Sequence, residues 1–302
     1  MRVNVRRWGI SALAAGLALA MVGCGDDSEP KKPEAAPSEA DHPAYATTMD
    51  PAAAAMSFVP ADARTLAVTD YDEVKSLFGL DAVTSRSSPA DQKDLWNRAD
   101  KEAAQVSGGL LRGVDQRLRD KFSWGAADVA WEAKFAGGGK EGFVIKVADR
   151  ADPRQAIKAG IGPLRGAEFD PKTHLITKNT AAPDAENWAA DEAMVAVAGG
   201  PATSTYVVKG CAEGGPKEKT RLAPIEAYSV EFGGGLATLR VGEDRDDLFV
   251  RLKLGDQAAA YKKVFTNGVA DPSTGRIGFR VTNPVTAATL VTSDPVPFAV
   301  CD

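Results

Sequence analysis

Val129-Ala130-Trp131-Glu132-Ala133-Lys134-Phe135 and Phe143-Val144-Ile145-Lys146-Val147 alternate apolar residues with polar or small ones. That two-residue period marks a strand with one buried face. Between them lies Gly137-Gly138-Gly139-Lys140-Glu141-Gly142, rich in residues that tolerate positive φ. The two strands therefore read as an antiparallel hairpin. A second hairpin repeats the plan with Tyr228 to Phe232, the turn Gly233-Gly234-Gly235, and Leu236 to Val241. Each leads on to a helix opened by a polar cap and a proline. Asp152-Pro153 starts one through Ile161, and Asn283-Pro284 starts another through Val291, after a strand at Arg276 to Thr282.

Working outward, Arg64 to Thr69 reads as a strand. Asp70 with Glu73 forms a capping box for a helix over Tyr71 to Phe78, which Gly79 ends. Ser88-Pro89 opens a longer helical region with one buried face, marked by Leu95, Ala99, Ala103, Val106, Leu110, Val114 and Leu118. Gly108-Gly109 breaks it into two helices. Strands and helices do not alternate regularly enough for a parallel βαβ fold. The expected class is α+β, an antiparallel sheet with helices on one face. The two hairpin-to-helix units suggest two related halves, about 58–190 and 191–302.

Composition narrows the function classes. The chain has 302 residues, 44% hydrophobic and 25% charged, which excludes collagen-like, coiled-coil and wholly disordered architectures. Its net charge of −5 offers no electrostatic footprint for nucleic acid. The only histidines are His42 and His174. No hydrolase, zincin, nucleotide or dinucleotide motif is present, so no catalytic residue, metal or cofactor is assigned. His174 reads as a surface or satisfied residue on a strand. Gly242-Glu243-Asp244-Arg245-Asp246-Asp247 reads as a solvated loop or helix start, because it lacks the glycine and distal glutamate of a calcium loop. Asp271-Pro272-Ser273-Thr274-Gly275 reads as a turn, and Trp96, Trp124, Trp131 and Trp188 as core.

The first residues carry an address. Arg2, Arg6 and Arg7 precede an apolar stretch of 13 residues, Ile10 to Val22. As a helix it is roughly 20 Å long, short of a bilayer core of about 30 Å, and it describes a secretory signal. Met21-Val22-Gly23-Cys24 resembles the bacterial lipobox, with Met21 in place of the commoner leucine. The resemblance implies cleavage before Cys24, a diacylglycerol thioether on its sulfur, and an acyl chain such as palmitate on the new amino terminus. The alternative is an ordinary secretory peptide with an accidental cysteine. Residues 1–23 are then the signal peptide, 24–57 a lipidated cysteine plus a proline-rich tether, and 58–302 the folded domain. The expected partner is the membrane, through Cys24, and the location is its outer, extracytoplasmic face. Without the three leader arginines, 33 basic residues stand against 41 acidic ones.

Assigning Cys24 to lipid leaves Cys211 and Cys301, which export would place in an oxidising space as a disulfide. From Phe58 onward the chain resembles a group of uncharacterised actinobacterial exported lipoproteins. The residues that carry this are Pro60-Ala61-Asp62-Ala63, Val68-Thr69-Asp70-Tyr71, Asp128 to Phe135, Asp271 to Arg276, and the ending Pro297-Phe298-Ala299-Val300-Cys301. The resemblance implies the same address and disulfide and brings no activity with it. The expected function is a non-catalytic envelope interaction or accessory module. A carrier of a small or lipidic ligand held between the halves is the alternative, and an envelope hydrolase the third reading.

Overall fold

The computed structural model describes Ala46, residues 48–214 and residues 221–301. The signal peptide, Cys24 and His42 lie outside the described residues. Among the described residues, the strands are β1 (Ala63–Asp70), β2 (Val129–Gly137), β3 (Lys140–Val147), β4 (Glu168–Asp170) and β5 (Leu175–Lys178). They continue with β6 (Ser204–Lys209), β7 (Ala227–Gly233), β8 (Leu236–Arg240), β9 (Phe265–Asp271) and β10 (Arg276–Val281). All ten join one sheet in the order β4-β5-β3-β2-β1-β6-β7-β8-β10-β9. Every neighbouring pair is antiparallel. The α+β, antiparallel class expected from the sequence is what forms.

The two halves repeat one topology. Outward from the central β1–β6 pair, the order is β1-β2-β3-β5-β4 on one side and β6-β7-β8-β10-β9 on the other. Local chemistry repeats with it. The β2–β3 turn has Gly138 and Gly139 at φ 55° and 77°, and the β7–β8 turn has Gly234 and Gly235 at 58° and 78°. Positive φ at both central residues is what a tight type I′ hairpin requires, and only glycine adopts it freely. The outermost hairpins share an Asp-Pro turn. Asp170 accepts from Lys172 N and from the Thr173 hydroxyl, while Asp271 accepts from Ser273 N and from the Thr274 hydroxyl. In each turn the fifth residue, His174 or Gly275, is left-handed. His174 thus belongs to the turn before β5 and not to a strand.

The helices are α1 (Pro51–Met56), α2 (Tyr71–Leu77), α3 (Pro89–Glu102), α4 (Asp115–Phe122), α5 (Arg154–Lys158), α6 (Glu192–Val197), α7 (Leu248–Gln257), α8 (Ala259–Val264) and α9 (Pro284–Ser293). Most of them form the expected layer on one face of the sheet. There α2–α5 cover Phe143, Ile145 and Ile176 of the first half. On the same face α7–α9 cover Val230, Leu239, Ile277 and Phe279 of the second. A smaller cap of α1, α6 and the turn around Trp188 lies on the opposite face, over Leu66, Val68, Ala133, Val144, Leu175 and Val207. Helices therefore occupy both faces, unequally.

Helix α1 corrects the tether boundary. Ala52, Ala54, Ala55 and Met56 are buried, so the folded part begins by Pro51 and not at residue 58. Alanine needs little room, which lets this short helix lie close on the strands. Its one large side chain, Met56, contributes roughly 1.5–3 kcal/mol by burial.

The chain ends in a latch. Cys211 and Cys301 are bonded, with Cα atoms 5.8 Å apart across a separation of 90 residues. Ala212 N donates to Ala299 O beside them. The fully buried Arg251 donates to the carbonyls of Phe298, Val300 and Ala223, and pairs with Asp247 at 2.8 Å. Most of the second half thus lies inside a covalent loop. Replacing both cysteines (Cys211→Ala with Cys301→Ala) is expected to lower unfolding free energy by about 2–5 kcal/mol. The urea midpoint measures this, and an unchanged midpoint would mean that Arg251 holds the terminus unaided.

Candidate functional site

The buried charges lie mainly in clamps that hold loops to the sheet. Glu132 of β2 is 1% exposed. It accepts from the Ser107 hydroxyl at 2.7 Å, Gly109 N at 2.7 Å, Leu110 N at 2.8 Å and the Tyr71 hydroxyl at 3.4 Å. Register sets Glu132 beside Thr69, and Thr69 beside Ser204. Ser107 N donates to Thr69 Oγ1, and the Ser204 hydroxyl donates to Ala104 O at 2.7 Å. A polar seam therefore crosses the sheet where the halves meet, with residues 104–110 strapped over it. This explains why α3 stops at Glu102 although its apolar spacing runs on: the next backbone groups bond to the seam.

Asp128 forms a second clamp. It accepts from Ser85, Gly125 N and Arg150, and its pair with Arg150 is 2.6 Å. Burial opposes its charge, but the hydrogen bonds from Ser85 and Arg150 outweigh that and hold its carboxyl below the usual range. It lines a cleft of about 380 Å³ that also holds Asp72, Lys75, Lys146 and Asp149. Lys75 pairs with Asp72 at 2.9 Å, and Lys146 donates to Thr173 O. Asp247 is the third clamp: its acidic run leads into the start of α7, as one of the two readings had it, but this last acid is buried and not solvated. It is 7% exposed, and Arg245 and Arg251 overcome its burial to hold its carboxyl at about 2.

Trp124, Trp131 and Trp188 are buried, as expected of core residues, and Trp96 is half-buried against Tyr71 and beneath Arg112. Beside the junction of the halves, an apolar gap lined by Ala103, Ala104, Phe232 and Leu236 has a volume of about 20 Å³. That is room for about one water molecule. Among the described residues no group of three or more His, Cys, Asp or Glu side chains could hold a metal ion, and no helix is long and apolar enough to cross a membrane.

The open site is the other face of β8, β10 and β9. Register builds it as a grid. Leu236, Arg280 and Thr266 form one row, Thr238, Gly278 and Val269 the next, and Arg240, Arg276 and Asp271 the third. Val269 is 70% exposed and Leu236 54%. A Cβ added to Gly278 would meet nothing, so the centre of the grid opens outward. Arg240 pairs with Glu231 at 2.8 Å, and burial raises the Glu231 carboxyl in spite of it. Arg276 and Arg280 are exposed and have no ion-pair partner among the described residues.

The repeat shows what is unusual here. The glycine turns align Arg240 with Val144, and the Asp-Pro turns align Arg276 with Leu175. Both counterparts are buried beneath the small cap. Where the first half has covered aliphatic side chains, the second half has the exposed Arg276 and, beside it, Arg240 folded down onto Glu231. Sequence reading placed Arg276 on a strand but had no sign of the face it shares with Arg240 and Arg280.

No family model matches the chain, and no curated protein matches it. The solved structure described as "Structure of crystal form III of TP0453" is similar at a TM-score of 0.34 and 8% identity, covering 82% of this chain and 100% of that one. Likeness at that level carries no argument about this chain.

The clamps make stability depend on pH. Burial raises the carboxyl of Asp70 to about 6, against the amide of Glu73 that it caps. Burial also raises Glu132 and Glu231. A carboxyl raised on folding binds its proton more tightly in the native state, so its penalty is present above the folded pKa and fades as pH falls toward the unfolded one. Stability should therefore rise from about pH 7 to about pH 4, and fall below that as Asp128 and Asp247 protonate. Urea midpoints across this range measure the rise. Asp70→Asn should flatten its upper part, and a wild-type profile matching the variant would refute the assignment.

Proposed function

We propose that this chain is a lipid-anchored, extracytoplasmic interaction module, held to the membrane through Cys24 and presenting the bare face of β8, β10 and β9 to a partner. The observation that carries this reading is the exchange of Val144 and Leu175 in one half for Arg240 and Arg276 in the other. Selection for folding alone would favour covering both faces alike, because an aliphatic face gains from burial. Arg276 in that position stands exposed and gives the sheet a charge to offer, while Arg240 is held by Glu231. The bonded Cys211 and Cys301 support an oxidising compartment. The lipobox resemblance of Met21-Val22-Gly23-Cys24 supports the anchor, and two acyl chains suffice for stable attachment.

Intact-mass analysis of the protein extracted from its native membrane tests the anchor. The expected species begins at Cys24 and carries a diacylglyceryl group, with or without a further acyl chain. In Cys24→Ala the chain should leave the membrane fraction. A species beginning at Met1, or one with an unmodified thiol at Cys24, would overturn the reading.

A further inference from the structure

We infer that the bare face of β8, β10 and β9 docks on anionic lipid headgroups, so that the domain lies against the bilayer to which its chain is tied. This rests on the reading of Cys24 as a lipid anchor. The protein as a whole is negative, at −5, yet Arg276 and Arg280 stand exposed on one sheet face with Arg240 beside them. Of the nearest acids, Glu231 is paired with Arg240, and Asp271, opposite Arg276, keeps its charge under hydrogen bonds from Ser273 and Thr274, so Arg280 is the cation farthest from a counter-charge. Glu243 and Asp244 border only the Arg276 end, through the contact of Gly275 with Gly242. Each basic residue close to an anionic leaflet strengthens binding roughly fivefold.

The same grid also carries apolar side chains. Leu236 and Val269 are exposed between the arginines. Arginine interleaved with aliphatic side chains suits a headgroup layer, where guanidinium meets phosphate and the apolar groups reach the acyl boundary. An acidic protein partner would use the charge but leave those side chains without a matching environment.

The chain also enters the fold on this side of the sheet. Helix α1 lies on the same face of the sheet as the grid, since Leu66 and Val207 beneath it are linked by register through Ser229 to Arg240 and Arg276. Residues 25–50 separate Cys24 from α1. Fully extended, that length spans at most about 90 Å, enough to let this face meet the bilayer and short enough to hold it near.

Arginine footprinting on vesicles tests the inference with the mature, full-length protein. It is reconstituted into vesicles of phosphatidylcholine alone, or with about 30% phosphatidylglycerol, a content that gives the surface a negative potential. Flotation with the neutral vesicles reports the anchor by itself. Phenylglyoxal modification of Arg276 and Arg280 is then compared with that of Arg117, an exposed residue of α4 in the helical layer. On anionic vesicles the ratio should fall about threefold or more, and it should recover in about 0.5 M salt, which shortens electrostatic reach to a few ångströms. On neutral vesicles it should match detergent solution. Equal ratios on both vesicle types, with flotation intact, would overturn the docking face and leave the anchor standing. Failure to float on neutral vesicles would instead remove the anchor, and the inference with it.

Discussion

A carboxylate withdrawn from water holds the centre of this molecule. Glu132 lies in the row of side chains where the two halves of the sheet meet, and an ionised carboxylate there is costly unless hydrogen bonds replace its hydration. Ser107, Gly109, Leu110 and Tyr71 supply them. The donors come from α2 and from the strap after α3, so the same bonds that keep Glu132 solvated bind the helical layer to the strands. Two hydrophobic cores flank this seam on one face of the sheet, and it joins them without merging them.

Around that seam the halves have kept their backbone plan and exchanged their surfaces. Twin glycine turns and twin Asp-Pro turns fix the same hairpins in both. The first half buries the side of its sheet opposite the helical layer beneath α1 and Trp188. The second leaves its counterpart open and charged. The sheet edges differ as well: β4 is three residues long and carries Glu168 and Asp170, whereas β9 runs for seven residues with Asp271 as its only charged side chain. Short, charged edges resist unwanted pairing. One end of the sheet is therefore closed to contact, and the other is not.

Much of the plan was legible locally. Alternation and glycine placed both hairpins, Asp70 capped α2 as its spacing predicted, and Asn283-Pro284 opened α9. The cysteine count paired Cys211 with Cys301. What escaped depends on contacts between distant segments. Glu132 occupies the outward phase of its alternating strand and reads as solvent-facing until the strap covers it. Asp247 reads as one more acid in a charged run until Arg245 and Arg251 enclose it. Ala52 to Met56 read as no more than a transient helical turn of the tether, because nothing local announces the strands on which the helix packs. The arginine face is invisible for the same reason, since Arg240 and Arg276 become neighbours only through strand register.

The central place of β1 constrains how the chain can assemble. Its first partner, β2, follows within the same half, but its second, β6, begins only at Ser204. A chain that emerges amino end first therefore spends much of its synthesis with the middle of the finished sheet presented as a raw border. Contacts of such long sequence separation slow folding, and an unpaired strand invites the wrong companion. Until β6 arrives, the interior of the mature protein is its most vulnerable margin.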